Sequence, residues 1–260
     1  MKWSNALDET LLSRVEDAGL NASAPPQQRW LDGWLVRFSP GKARRARCVN
    51  AVAAGRLPLA DKLRLCEAVY REAGLPMVVR ITRFTEPAGL DEQLDALGMG
   101  VVDDTRVMVC LALPALAPPA LPAGTHWAAL DAAAFAEAVG GLRGSPPAQR
   151  EAHAQRLALS PVPYRGFAIR RDDDGTVLAC GQYAIEAELV GIYDVFTLES
   201  QRGSGLATQL CQRLLSLAAL NGAGIGYLQV EGDNHSAQRI YRRLGFADGY
   251  GYHYRQPPTV

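Results

Sequence analysis

Apolar and polar positions alternate in some segments of the first half of the chain and follow a helical spacing in others. The segment "WLDGWLVRFS" alternates as a half-buried strand does, whereas "LADKLRLCEAVYREAG" spaces Leu59, Leu63 and Cys66 on one helix face and ends at Gly74. Between them, "ARRARCVNAV" is predicted to form a strand. "PMVVRITRF", "GLDEQLDALGM" and "DDTRVMVCLA" then predict a strand, a short helix and a last strand.

The second half shows a closely related order of elements. A helix from about Ala128 to Val139, the loop "GGLRGSPPAQ" and a second helix precede two hairpin strands, "GFAIRRD" and "TVLACGQYAI". The strand "LVGIYDVFTL", a helix over about 206–220, the strand "IGYLQVEG", a short helix and "YGYHYRQ" follow. The segments "EAGLPMVVRITRF…LDALGM" and "LNGAGIGYLQVEG…YRRLGF" both run strand, helix and then Leu-Gly. We interpret the chain as a duplicated α/β unit.

A proline- and alanine-rich stretch, "LALPALAPPALPAG" from Leu111 to Gly124, separates the two halves. Prolines interrupt regular structure and stiffen a connection, so this stretch is predicted to be a linker. We therefore expect a first domain over residues 1–113, a linker over 114–124 and a second domain over 125–260.

Composition narrows the classes of function. The 27 Lys and Arg residues balance 27 Asp and Glu residues, which argues against a nucleic-acid partner. The five cysteines are scattered, with no CxxC pair, so we expect neither a disulfide framework nor a bound metal. The segment "MKWSNALDETLLSRVEDAG" favours an amphipathic helix over a signal peptide, and no apolar run approaches the roughly 20 residues of a membrane span. We expect a cytoplasmic protein that does not contact a membrane.

The segment "SQRGSGLATQ", residues 200–209, places Gly203 and Gly205 just before a predicted helix. Glycine weakens a helix interior but helps where the backbone bends or is approached closely. The first amides of a helix lack partners, so a glycine-rich loop there favours binding of a phosphate. A plain turn is the alternative. A Rossmann dinucleotide loop does not fit, because Thr208 stands at the third glycine position and no acid follows about 20 residues on.

Two motifs in this half resemble those of one known family. The run from Arg202 to Ala207 resembles the (Q/R)xxGx(G/A) acetyl-CoA loop of the GNAT N-acetyltransferase superfamily. The segment "EGDNHSAQRIYRRLGF" is similar to its second motif, with Asn234, Ala237 and Tyr241 in the corresponding places. The resemblance covers roughly Phe167 to Arg255. It implies an α/β (α+β) fold of two tandem GNAT-like domains, each a mixed, mostly antiparallel twisted sheet flanked by helices.

The resemblance also implies how acetyl-CoA binds as co-substrate. The strand before the loop would offer main-chain groups to the pantetheine and the thioester oxygen, and the loop would hold the pyrophosphate. Asn234 would bond the pantetheine, and Tyr241 would protonate the departing thiolate as general acid. Helix capping by Asn234 and core packing by Tyr241 are the alternatives. The residues implied to contact acetyl-CoA are Val195, Phe196, Thr197, Arg202, Gly203, Ser204, Gly205, Leu206, Ala207, Thr208, Asn234, Ala237 and Tyr241.

The sequence offers several candidates for the general base that would deprotonate the acceptor amine. Glu188 is the best candidate, followed by Asp194 and Glu186. The family's glutamate position falls near Gly191, so none of the three is in register. An idle surface acid at Glu188 and proton loss directly to water are the alternatives.

The acceptor site and the role of the first domain stay open. Tyr250, Tyr252 and Tyr254 share one strand face, where they either wall an acceptor pocket or pack in a core. The basic segment "KARRARC" either binds an anionic acceptor or guards a strand edge. In the first half, Pro87 and Leu94 stand in the places of the motif asparagine and tyrosine. We therefore expect this domain to be degenerate and catalytically silent.

Taken together, these residues predict an acetyl-CoA-dependent N-acetyltransferase whose active site lies in the C-terminal domain. The acetyl group would pass directly to a primary amine of a small molecule or peptide, without a covalent enzyme intermediate. A longer acyl donor, the identity of the acceptor and the oligomeric state are left open. The rival interpretation is a non-catalytic acyl-CoA-binding sensor or interaction module.

Overall fold

The protein is described by a computed structural model over residues 7–40, 43–113 and 120–258. Contacts between Cα atoms group these residues into two compact units. The first unit contains the chain up to Ala22, Met108–Val230 and Asn234–Gly249, and the second contains Ser23–Val107, Glu231–Asp233 and the chain from Tyr250 onward.

Seven helices and eleven strands are assigned within the described ranges. The helices are α1 (Glu9–Ala22), α2 (Leu59–Glu72), α3 (Leu90–Ala96), α4 (Ala132–Arg143), α5 (Pro147–Ala158), α6 (Leu206–Leu220) and α7 (His235–Arg243). The strands are β1 (Gln28–Leu31), β2 (Trp34–Arg37), β3 (Val49–Ala51), β4 (Val79–Thr82), β5 (Gly100–Cys110), β6 (Thr125–Leu130), β7 (Tyr164–Arg171), β8 (Val177–Glu186), β9 (Leu189–Thr197), β10 (Ile225–Glu231) and β11 (Ala247–Gln256).

The first unit contains a mixed sheet in the order β10-β9-β8-β7-β6. Strands β6 to β9 pair antiparallel, and the hairpin between β7 and β8 turns at Asp173-Asp174-Gly175. Strands β9 and β10 are parallel, with α6 as the connection between them. Parallel neighbours need such a crossover, and here the crossover places the start of α6 directly after the end of β9.

Helix α6 covers one face of this sheet, and its leucines Leu210, Leu214 and Leu215 are fully buried. Helix α1 also belongs to this unit and lies against β9, with Leu11 and Leu12 buried. A separate apolar cluster under α4 and α5 includes Phe135, Val139 and Leu157. The site described below is therefore built on a strand that is packed on both faces.

The second unit has a related plan, with its strands in the order β1-β2-β3-β4-β11. Strands β3 and β4 are parallel and are connected by α2, as β9 and β10 are by α6. The remaining pairs are antiparallel, including β11 with β4 from Tyr252↔Thr82 to Arg255↔Val79. Trp34 and Tyr70 are buried in its core. The predicted fold class, with mixed and mostly antiparallel sheets flanked by helices, is confirmed.

Three expectations differ from the structure. The helix expected from about Ala128 to Val139 begins only at Ala132, because Thr125–Leu130 forms β6 and pairs with β7. The predicted strand "ARRARCVNAV" is shorter, because Arg44–Ala46 forms a 3-10 turn closed by the N–H of Arg47 on the carbonyl of Arg44. Only Val49–Ala51 joins the sheet. Each unit also draws on both halves of the sequence, so the expected boundary at 114–124 does not separate the two contact groups. Residues 114–119 of that linker lie outside the described residues, and the domain boundary stays a prediction.

Candidate active site

A cavity of about 630 Å³ lies in the first unit where β9 ends and α6 and α7 begin. Its walls come from three segments that the sequence had singled out. The lining residues are Val195, Phe196, Thr197, Gln201, Arg202, Gly203, Gly205, Leu206, Ala207, Thr208, Cys211, Asn234, Ser236, Ala237, Arg239, Ile240, Tyr241 and Arg243.

A bulge in β9 opens the strand toward this cavity. Asp194 has a φ of +51°, and the pairing of β9 with β8 shifts from Gln182↔Tyr193 to Cys180↔Phe196 around it. The parallel pairing of β9 with β10 ends at Ile192↔Leu228, while the pairing with β8 continues to Thr197. A bulge bends its strand and disrupts the local ladder. The edge of Val195–Thr197 that faces away from β8 is therefore available to a ligand.

The glycines of the loop adopt conformations that other residues rarely take. Gly203 and Gly205 have φ values of +82° and +87°, and a Cβ added at either would meet no atom within 4 Å. Gly205 is the N-cap of α6, and no side chain caps that end of the helix. The first amides of α6 therefore have no side-chain cap, and uncapped helix N-termini of this kind bind anions.

The charged side chains around the cavity all carry the same sign. Among the described residues, Arg202, Arg239 and Arg243 line it, and no acidic side chain does. Arg202 is exposed and lies 3.8 Å from the similarly exposed Glu199. Three guanidinium groups beside an uncapped helix favour a ligand with several negative charges, such as a diphosphate.

Asn234 and Tyr241 belong to α7 on the opposite wall. Asn234 caps this helix through its Oδ1, which accepts from the N–H of Ala237 at 3.1 Å. Its Nδ2 can still donate to a ligand, so capping and ligand contact are compatible. Tyr241 packs edge-on against Phe246, with ring centroids 6.2 Å apart, and also lines the cavity. Burial raises the pKa of Tyr241, so its phenol stays protonated and can donate a proton.

Cys211 lies one turn into α6 and lines the cavity, although the sequence motifs contain no cysteine. Burial raises the pKa of this thiol to about 12. A thiol that stays protonated at neutral pH is a poor nucleophile. Its presence therefore does not support a covalent acyl-cysteine intermediate.

The structure brings together all the residues implied to contact acetyl-CoA except Ser204. The Ser204 hydroxyl donates to the carbonyl of Gln201 at 2.6 Å, and the residue lines a neighbouring cavity of about 530 Å³ instead. Sequence reasoning missed six of the lining residues, which are Gln201, Cys211, Ser236, Arg239, Ile240 and Arg243. The spacing of Arg239 and Arg243 by four positions on α7 was a usable signal, because it places both on one helix face.

Glu188 is not brought to the cavity. It precedes β9, at the opposite end of the strand from Val195–Thr197, and pairs with Arg14 at 2.6 Å. The hydrogen bond from Arg14 lowers the pKa of Glu188, so this carboxylate is a weaker base than an ordinary glutamate. The expectation that Glu188 serves as general base finds no support in its position.

The other candidate bases are also held by partners. Glu186 accepts from the side chain of Asn21 at 2.9 Å. Asp194 accepts from Arg143 at 2.9 Å. Burial by itself would raise the pKa of Asp194, but its partners, His153 and Arg143 foremost, outweigh burial and hold that pKa well below the usual range. Such a carboxylate is a poor proton acceptor at neutral pH.

The missing glutamate near position 191 has a steric explanation. A Cβ on Gly191 would lie 2.4 Å from the ring of Tyr193, which no real side chain tolerates. The Tyr193 hydroxyl shares a hydrogen bond of 2.7 Å with that of Tyr227. A buried tyrosine pair thus occupies the space where an acid would stand.

In the second unit, a protein carboxylate bonds to the loop that corresponds to the glycine loop of the first unit. The loop before α2 donates the N–H groups of Arg56 and Leu57 to the carboxylate of Asp32, at 2.8 to 2.9 Å. Asp32 also pairs with the buried Lys62 at 3.2 Å. Tyr252, like the neighbouring strand tyrosines, is buried here and lines no cavity described above. A protein carboxylate therefore occupies the amides that could otherwise receive an anion.

Neither a membrane-spanning helix nor a cluster of metal ligands is present in the described ranges. No helix there is long and apolar enough to cross a bilayer. No three or more His, Cys, Asp or Glu side chains in those ranges converge as metal ligands do.

Comparison with known proteins shows similarity to N-acetyltransferases. Residues 142–246, which include both motifs and the whole cavity, match the Acetyltransferase (GNAT) family. The chain is 26% identical over 230 residues to the uncharacterized N-acetyltransferase YobR of Bacillus subtilis (strain 168), covering 88% of this chain and 91% of that protein.

Solved structures share the fold. A GCN5-related N-acetyltransferase from Kribbella flavida superposes with a TM-score of 0.64 at 21% identity, covering 95% of this chain and 96% of that one. A tandem GNAT protein from the clavulanic acid biosynthesis pathway gives a TM-score of 0.61 at 14% identity, covering 77% and 70%. The β9 bulge, the uncapped N-terminus of α6 and both sequence motifs all lie within residues 142–246, the segment that matches the Acetyltransferase (GNAT) family.

Proposed function

We propose that the first unit transfers an acetyl group from acetyl-CoA directly to a primary amine. The observation that carries this proposal is the union, in one cavity, of the uncapped α6 N-terminus, three arginines and the open edge of β9. The match of residues 142–246 to the GNAT family and the similarity to YobR, which is named as an N-acetyltransferase, support it.

The loop and α7 would bind the donor. The amides at the start of α6 and the guanidinium groups of Arg202, Arg239 and Arg243 would hold the diphosphate, because helix dipole and charge act in the same sense. The pantetheine would lie along Val195–Thr197 and take hydrogen bonds from the backbone opened by the bulge, with Asn234 donating from the other wall. An amide of this strand would donate to the thioester oxygen as negative charge develops there.

The neutral acceptor amine would attack the thioester carbon, and the C–S bond would then break. Tyr241 would give its proton to the departing thiolate and regain one from solvent. The proton lost by the amine would pass to water, since no free carboxylate lines the cavity among the described residues. No enzyme-bound acetyl intermediate forms in this sequence of steps.

The lack of a base among the described residues of the cavity raises a second candidate function. A non-catalytic acyl-CoA sensor is the second candidate, and the observation in its favour is that no carboxylate base lines the cavity in the described residues. The two differ in one measurement, since an enzyme releases free CoA thiol from acetyl-CoA when an amine is added and a sensor does not.

Calorimetric titration of acetyl-CoA into the wild-type protein and two matched variants tests the binding site. Gly205→Glu places a carboxylate in the cationic cavity at a φ of +87°, and it should weaken binding about 100-fold or more. Gly222→Glu makes the same change at a φ of +93°, also in open space, but beyond the other end of α6. It should bind acetyl-CoA as the wild type does. A wild type that does not bind, or equal loss in both variants, would contradict the proposed site.

A further inference from the structure

A polar cluster lies beside the cavity that is proposed to bind acetyl-CoA, which is called the donor cavity from here on. The residues of this cluster have no part in the steps above. Its centre is the half-buried carboxylate of Asp194 at the β9 bulge. This carboxylate accepts from Arg143 at 2.9 Å and from the buried Gln182 at 2.8 Å, and His153 lies 3.4 Å from it. Asp194 is therefore saturated with partners and serves to hold them.

Arg143, the last residue of α4, is the member of the cluster that faces outward. Its side chain is 30% exposed, and its one hydrogen bond to the described residues uses a single Nη2. A guanidinium has five N–H donors in a rigid fork, so most of them remain available. The Asp194 carboxylate fixes the orientation of that fork, which lowers the entropy cost of binding a second anion.

Arg143 lies close to the proposed reacting centre. Its guanidinium carbon lies 5.5 Å from the centroid of the Phe196 ring, and Phe196 lines the donor cavity. The guanidinium carbon of Arg202 lies 5.8 Å from the same ring. Arg202 lines the donor cavity, whereas Arg143 does not. The available donors of Arg143 are therefore within one small molecule's length of the proposed thioester site without belonging to the diphosphate site.

The charges around this position favour an anion. Arg156 is close enough to Asp194 to lower its pKa, so Arg143 and Arg156 both act on this one carboxylate, while Arg202 contacts the Phe196 ring and lies near the exposed Glu199. The pairing with Asp194 neutralises one of these cations, and the local charge stays positive. A planar, bidentate fork suits a carboxylate in particular.

Resting on the proposed function, we propose that the acceptor is a small amine that carries its own carboxylate, such as a free amino acid, and that Arg143 binds this carboxylate. Asp194 is a positioning residue that holds Arg143 in place. The amine would then lie toward Phe196 and the thioester. A peptide amino terminus, which has no carboxylate near its amine, would be a poor acceptor.

Thiol release from acetyl-CoA with matched acceptor pairs tests this inference. The probes are the free amino acids, each compared with its own carboxamide at saturating acetyl-CoA. The amide's amine is less basic and thus more often neutral, so a preference for the acid opposes intrinsic reactivity. We expect kcat/KM about 10-fold or more higher for the acid of the best pair.

Two substitutions at position 143 and one control separate binding from folding. In Arg143→Gln the acid-to-amide ratio of kcat/KM should fall to near one, chiefly through a higher KM for the acid. Arg143→Lys should restore part of the ratio, because it keeps the charge but loses the fork. Arg165→Gln removes a guanidinium of the same unit that bonds Asn221 and lines no cavity described above, and it should leave the ratio as in the wild type.

Asp194→Asn tests the positioning role. It should raise KM for the acid by a larger factor than it raises the dissociation constant of acetyl-CoA, and thermal unfolding checks that the variant is folded.

The outcomes distinguish this inference from the proposed function. One outcome is that acetyl-CoA binds and is turned over equally with acids and amides, or only with amides. That result would overturn the inference that the acceptor carries a carboxylate, but it would leave the proposed acetyltransferase activity intact. Acetyl-CoA that binds without turnover of any amino acid would also overturn the inference. Failure of the wild type to bind acetyl-CoA would instead overturn the proposed function, and the inference with it.

Discussion

At the scale of single residues, Tyr241 shows how one side chain can both pack and react. Its ring contacts Phe246 and belongs to the surroundings of the α6 core, while the residue also lines the donor cavity. The two interpretations that its helical position allowed are therefore compatible. Asn234 is similar, since its oxygen caps α7 and its amide nitrogen remains for a ligand.

Replacing Tyr241 with Phe should lower kcat by roughly 10²- to 10⁴-fold, the usual contribution of a positioned acid. The dissociation constant of acetyl-CoA should stay within about threefold, because the ring and its packing are kept. Since burial raises the pKa of Tyr241 above that of a free phenol, kcat should show no loss from phenol ionisation up to about pH 10.

Tyr164→Phe is the matched control for this substitution. The Tyr164 hydroxyl donates to the carbonyl of Ala22 at 2.8 Å and is away from the described lining of the cavity. Turnover should persist in this variant. Undiminished kcat in Tyr241→Phe would show that the thiolate takes its proton from another source.

At the scale of elements, the end of β9 decides what the first unit can bind. The same bulge frees the edge of Val195–Thr197 for the donor and turns Asp194 toward Arg143 and Gln182. Positive φ is uncommon for residues with a side chain, although Asp tolerates it better than most. The bonds to Asp194 therefore stabilise a bend that the proposed chemistry needs.

Asp194→Asn should reduce the free energy of unfolding at pH 7. The folded-state pKa of Asp194 is depressed, so its contribution is fully present above the unfolded value of about 3.9 and is lost as the pH falls below it. The difference between wild type and variant should thus shrink between pH 5 and pH 3. Denaturant unfolding at several pH values measures it, with the exposed Glu199→Gln as a control that should not differ from wild type. A difference that is independent of pH would refute the role given to this carboxylate.

At the scale of the whole molecule, neither half of the sequence contains all the residues of one unit. The first unit includes α1 from the start of the chain, with Leu11, Leu12 and Val15 buried. The second unit includes the chain from Tyr250 onward, where β11 pairs with β4. Burying each large apolar side chain contributes about 1.5–3 kcal/mol, and domains are stable by only about 5–15 kcal/mol.

A fragment of residues 125–260, cut at the boundary that the sequence suggests, should therefore be poorly stable. It lacks α1, and its last strand lacks β4 as a partner. We expect either no cooperative thermal transition or a Tm lower than that of the full chain by about 10 °C or more. Circular dichroism melts of both proteins provide the comparison, and a fragment that melts cooperatively at the full-chain Tm would show that the sequence boundary is a true domain boundary.

The sequence by itself determined the features that depend on local geometry. The glycine pair before α6, the asparagine cap of α7, the hairpin between β7 and β8 and the helical stripe of α2 follow from backbone conformation and side-chain period over a few residues. These features suffice for the fold class and for most of the donor cavity. They carry no information on which distant side chains will meet.

Only the tertiary structure decided the features that join distant positions. Arg14 pairs with Glu188 and lowers its pKa, and Arg143 pairs with Asp194 beside the cavity. Asp32 fills the loop of the second unit, and α1 and the last strand enter units that the sequence halves would not assign to them. Each of these features depends on packing and charge pairing between residues that are far apart in the sequence. Such pairing sets the basicity of a carboxylate and the orientation of a guanidinium, and no local sequence pattern predicts it.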